Sequence, residues 1–125
     1  MMKNILLVGA GGMIGSIARY LIYLLIRNTS FPVATLLVNI VGSLAIGFIA
    51  GIAMKDADFP VGWKLFLATG ICGGFTTFSA FSLDNYELLQ QGKTLLMIAY
   101  IISSIVLGLL LTFAGVYLAK FVNLN

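Results

Sequence analysis

Four apolar stretches, at about Asn4 to Ile26, Phe31 to Met54, Gly62 to Leu89 and Thr94 to Val122, take up nearly the whole of this chain. A helix that crosses a bilayer needs about 20 consecutive apolar residues, and every stretch meets that length. Of the 125 residues, 61% are hydrophobic and 9% are charged, which leaves too little polar surface to coat a water-soluble globule. The expectation is an all-α membrane protein of four transmembrane helices, a single transmembrane domain over residues 1–125. Loops of a few residues force neighbouring helices to run up, down, up, down. The first stretch has no cleavage-like end before the next polar loop, so it reads as a span and not as a removable leader.

The net charge is +3, but the seven cations are scattered and form no basic run, so nucleic acid is not an expected partner. In an alternating bundle Lys3, Lys55, Lys64 and Lys120 share one side, and Arg27 and Lys93 share the other, with Arg19 inside the first helix. Topology follows Lys and Arg in short flanking loops. So slight a bias allows insertion in both orientations. The single Cys72 permits no internal disulfide and reads as a small buried residue.

Local signals mark the helix ends. Ser30 with Pro32, and Asp58 with Pro60, pair a capping residue with a first-turn proline, while Gly92 suits a helix end. Within the spans, Thr35, Asn39, Ser43, Gly47 and Gly51 recur at i, i+4 spacing along one face of the second helix. Tyr100, Ser104, Gly108 and Thr112 do the same on the last helix, with Ser103 beside them. Gly11 with Gly15, Gly47 with Gly51 and Gly70 with Gly74 have the small-xxx-small spacing that lets membrane helices approach closely.

Gly9, Gly12 and Gly15 imitate a nucleotide-binding glycine turn. A dinucleotide site needs a βαβ unit and an acid about 20 residues later, and no acid precedes Asp56. These glycines are read as a close-packing face of the first helix. The chain has no His, and Asp56, Asp58, Asp84 and Glu87 lie near helix ends or in one loop. No triad, metal cluster or phosphate loop can be assembled, so the protein is not expected to be an enzyme. A proton-coupled exporter ordinarily keeps an ionisable group in its transport helices, and no carboxylate occurs in the first two.

Against this background Gly73 to Ser82 stands out as a glycine, hydroxyl and phenylalanine cluster at mid-span. Non-helical backbone at bilayer depth survives only where it is buried in protein or lines a wet cavity, so a break in the third helix is expected here. The polar groups at this depth are neutral donors. An anion leaving water loses solvation on the order of 20 kcal/mol in an idealised low-dielectric medium, and N–H and O–H donors must replace it. Phe75, Phe78 and Phe81 stand at i, i+3 spacing, and ring edges carry positive potential. Spacing alone does not separate an ion-facing role from packing or lipid contact.

The run Gly73-Gly74-Phe75-Thr76-Thr77-Phe78-Ser79-Ala80-Phe81-Ser82, with Asn39-x-x-Gly42-Ser43 and Gly11-Gly12-x-x-Gly15-x-x-x-Arg19-Tyr20, closely resembles the Fluc (CrcB) fluoride channels across three helices. The resemblance implies an antiparallel homodimer of dual topology with two separate pores, multi-pass in the cell membrane of a bacterium. It implies passive, selective export of fluoride that limits its toxicity in the cytoplasm. Phe78 and Phe81 resemble the residues whose ring edges face fluoride, and Asn39 resembles the pore amide. Thr35, Ser79, Tyr100 and Ser104 are similar to hydroxyl residues along or beside the path. Backbone carbonyls of Gly73 and Thr76 from both subunits resemble the family's structural Na+ site, and Arg19 matches an arginine near the pore entrance that attracts anions or braces the dimer. Two departures are Ala80, where relatives commonly carry a hydroxyl, and Asp84, where a Glu is usual. A small coupled transporter and a non-conducting assembly subunit are the competing readings.

Overall fold

A computed structural model of the chain describes residues 1–27 and 29–123, all helix and connecting turns among them. Helix α1 is Met2–Leu25 and α2 is Val33–Lys55. The third span, Val61–Gln90, is divided into α3, residues 61–75, and α4, Phe78–Gln90. Helix α5 is Thr94–Ala119. The four spans contain 24, 23, 30 and 26 residues, and at about 1.5 Å per residue each crosses a hydrocarbon core about 30 Å thick. Their outer faces, including Leu6, Ile17, Ile102, Leu109 and Phe113, are exposed and apolar.

Glycine faces set the packing. Helix α1 lies against α3, where a Cβ at Gly11 would overlap the Phe66 carbonyl oxygen, and one at Gly15 would overlap that of Ile71. Gly70 answers from α3, with its Cβ direction 2.8 Å from the Gly11 Cα. Gly74 abuts the Gly12 backbone, whereas Gly9 faces open space and is no part of this seam. Of the expected Gly9, Gly12 and Gly15 face, Gly12 and Gly15 thus stand at the seam together with Gly11, and Gly9 lies outside it. Helix α2 pairs with α5 in the same way, with Gly51 against Val116 and Ala119 and Gly115 against Leu44 and Phe48. At Gly47 an added Cβ would overlap the Thr112 carbonyl oxygen and come 2.9 Å from its carbon. Neither backbone can yield without parting the helices. Gly47→Val should therefore lower the unfolding midpoint in detergent, at a cost of roughly 1–3 kcal/mol or more.

The helix ends differ in part from the sequence expectation. Neither Ser30 nor Asp58 caps a helix: the prolines themselves, Pro32 and Pro60, occupy the N-cap positions, without side-chain capping bonds. At the second of these ends Asp56 takes over locally, its Oδ1 accepting from the Asp58 N–H at 3.0 Å to close a turn. Gly92 meets expectation. With φ at +72° it ends α4, its N–H donating to the Leu89 carbonyl at 3.0 Å while that of Lys93 reaches Leu88 at 2.9 Å, the paired closure of a Schellman end. Within α3, Leu65–Cys72 is wound as a π-helix, which no compositional signal announced.

One end of the bundle gathers four lysines. Lys55 Nζ, at the end of α2, donates to the carbonyls of Ala119, Lys120 and Val122 at 3.1, 3.0 and 2.6 Å. A cation on the last carbonyls of α5 satisfies groups the helix cannot pair and complements its dipole.

Candidate functional site

The third span breaks at Thr76 and Thr77, whose backbones are extended at φ −80°, ψ 156° and φ −153°, ψ 118°. Each polar group freed there needs a partner. The Thr76 N–H and hydroxyl both donate to the Cys72 carbonyl, at 3.0 and 2.9 Å, closing the last turn of α3. Thr77 opens α4 as its N-cap, its Oγ1 accepting from the Ala80 N–H at 3.1 Å. Such a cap is worth about 1 kcal/mol.

Asn39 spans the remaining gap. Its Oδ1 accepts from the Thr77 N–H at 2.8 Å, and its Nδ2 donates to the Thr77 carbonyl at 3.1 Å. The side-chain amide thus pairs with both polar groups of Thr77 as a neighbouring strand would, and the opposed donor and acceptor fix which way it points. One of its two N–H groups is left for another acceptor. Gly42, one turn along α2, is where a Cβ would overlap the Thr76 methyl. The Asn39-x-x-Gly42-Ser43 spacing is therefore a seat for the break, with the Ser43 hydroxyl turned back onto the Asn39 carbonyl at 2.7 Å.

Because Thr77 gives its N–H to Asn39, the Gly73 carbonyl is released from the helical ladder at bilayer depth. The Thr76 carbonyl lies 3.4 Å from Arg19 Nη1, a long contact across from α1. Two cavities flank the break. One, about 300 Å³, is lined by Asn39, Ser43, Gly73, Thr76, Thr77 and Phe78 among others. The second, about 470 Å³, includes Ser16, Arg19, Tyr20, Tyr23, Thr77 and Ser79. Asn39 and Ser79 thus face different cavities, with Thr77 as the shared wall and its Oγ1 3.1 Å from that of Ser79.

From the start of α4 a line of rings runs inward. Phe78 and Phe81 have centroids 5.5 Å apart, Phe81 and Tyr100 5.1 Å, and Tyr100 meets Phe31 edge-on at 5.4 Å. Phe78 is 78% exposed, whereas Tyr100 is fully buried. The Tyr100 hydroxyl donates to Asp84 Oδ2 at 3.0 Å, and the buried Thr35 hydroxyl shares a hydrogen bond of 3.0 Å with Tyr23. Tyr23 was not singled out from sequence. Its signal was available, one turn beyond Arg19 on the same face of α1. Ser104 Oγ is buried with no hydrogen-bond partner among the described residues.

Among the described residues no three His, Cys, Asp or Glu side chains converge on a possible metal. A cation at this depth would have to use carbonyl and hydroxyl oxygens, the donors that suit a hard ion.

The geometry can be set beside known proteins. The family model described as CrcB-like protein, Camphor Resistance (CrcB), matches residues 6–116. A protein of Rhizobium meliloti named Fluoride-specific ion channel FluC is 48% identical over 122 residues, which is 95% of this chain and 98% of the relative. Proteins of the same name from Chlorobaculum tepidum and Azobacteroides pseudotrichonymphae are 46% and 41% identical, over 95% and 97% of this chain and 96% and 99% of their own. The match covers all four spans and the helix break, and the chain belongs to the CrcB family.

Proposed function

We propose that the protein is a fluoride-selective channel that lets fluoride leave the cell passively across the membrane and so limits its toxicity in the cytoplasm. The observation that carries this reading is the broken third span, with Phe78 and Phe81 on the first turn of a helix that begins inside the membrane. A helix start presents unpaired N–H groups and the positive end of its dipole, and so favours an anion. Ring edges beside it add to that potential, and Asn39 has an N–H to spare. Its relatives named Fluoride-specific ion channel support the choice of ion.

The end of α3 has the opposite polarity. Its freed carbonyls favour a cation, and we assign Gly73 and Thr76 to a structural Na+, which would supply fixed positive charge near the anion path. The released Gly73 carbonyl supports the assignment, and the Thr76 oxygen has a second lone pair beyond the long Arg19 contact. Two carbonyls from one chain are too few for such an ion, which favours two copies around it. The exposure of Phe78 points the same way, since a single copy leaves that ring uncovered. An antiparallel homodimer of dual topology supplies both, and accords with the weak charge bias between the two ends.

Purified protein in liposomes should pass fluoride with no proton or sodium gradient and hardly any chloride. Equal chloride flux would refute fluoride selectivity. Flux whose direction follows an opposing ion gradient would instead indicate a coupled transporter.

A further inference from the structure

Away from the break, at the end of the bundle that carries the four lysines, the first turns of α1 and α3 leave a groove of about 390 Å³. Its lining is Lys3, Leu7, Pro60, Gly62, Trp63 and Phe66, with no carboxylate. Trp63 stands edge-on to Phe66, centroids 6.0 Å apart, and is 55% exposed. Gly62 keeps the floor open, since a Cβ there would come within 3.2 Å of Leu7 Cδ1. Tryptophan at such a helix start marks the level where hydrocarbon gives way to headgroups. The groove is thus an apolar trough at the membrane interface with a single cation on its rim.

We propose that this groove binds an anionic phospholipid, one acyl chain lying along Leu7, Trp63 and Phe66 and the headgroup phosphate resting on Lys3. Charge and shape together select the occupant. A free anion has no use for the apolar floor, and a lipid of zero net charge gives Lys3 little to neutralise. A parallel second copy would bring its own Lys3, Lys55, Lys64 and Lys120 to the same level and be repelled. Lys55 is engaged with the carbonyls at the end of α5, so Lys3 is the lysine placed to meet a phosphate here.

Trp63 is the chain's single tryptophan, so tryptophan emission, excited selectively over the tyrosines, reports on this groove in the intact protein. In vesicles of phosphatidylglycerol and phosphatidylcholine, with bromine on the acyl chains of one or the other at the same overall share, phosphatidylglycerol should quench Trp63 the more strongly. Lys3→Gln should reduce that preference about five-fold, the share of one lysine in attraction to an anionic lipid surface. Inorganic phosphate should leave the preference unchanged. Equal quenching by both lipids in the unmodified protein, which needs no variant to fold, would reduce the groove to ordinary lipid contact and overturn the proposal. Quenching by neither would show a second copy covering it, and reversal by phosphate would show a site for the anion without its chain; either result overturns the proposal as well.

Discussion

Replacing Asn39 with leucine is expected to lower the unfolding midpoint and the fluoride flux together. The side chain satisfies both backbone groups of Thr77 at the point where the third span leaves the helix, at 2.8 and 3.1 Å. Thr77 is buried, and Leu offers it neither donor nor acceptor. Leaving a buried N–H and C=O unpaired costs about 1–3 kcal/mol each, so the loss is about 2–6 kcal/mol. The break must then refold, flood or seek other partners, and each alternative moves Phe78 and the start of α4. A residue that served only as an ion-facing amide behaves differently, since its loss would cut flux and leave the midpoint in place. Thermal unfolding in detergent, measured beside liposome flux on the same preparation, separates the two. An unchanged midpoint would remove Asn39 from its bracing role.

That bracing explains why part of the site was legible in sequence and part was not. The four spans could be read because apolar length is imposed by the bilayer, and the Gly11, Gly15 and Gly47, Gly51 seams because close approach imposes small residues at i, i+4. The break was legible because glycines and hydroxyls in Gly73 to Ser82 interrupt an apolar run. What satisfies the break was not. Asn39 meets Thr77 across 38 positions and Arg19 approaches Thr76 across 57, and single-chain periodicity holds no record of such partners. The caps failed for a nearer reason. Ser30 and Asp58 had the right chemistry, but Pro32 and Pro60 stood closer to the helix starts and took the N-cap positions. The π-helical Leu65–Cys72 is apolar throughout except for Thr69, so composition gives no sign of its extra winding.

Changing Phe78 or Phe81 to isoleucine should slow fluoride flux without loss of the folded bundle, and the two sites should differ in how cleanly they do so. Interactions of a ring's quadrupole are worth about 0.5–1.5 kcal/mol beyond buried area, which as a barrier is about two- to tenfold in rate for each ring. If the contributions add, the double variant should lose about fourfold to a hundredfold. Phe78 is exposed in a single copy and packs only on Phe81 among the rings, so Phe78→Ile should leave the unfolding midpoint nearly unchanged. Phe81 lies between Phe78 and the buried Tyr100. Its replacement removes both ring contacts and should lower the midpoint modestly along with the flux. Tyr100→Phe supplies the contrast, because it keeps the ring beside Phe81 and removes only the hydroxyl bonded to Asp84. If the ring edges set the rate, Tyr100→Phe should cost less flux than Phe81→Ile. Full flux in both isoleucine variants would return these phenylalanines to packing and leave the anion to the neutral donors at the break, Asn39 and the start of α4 among them.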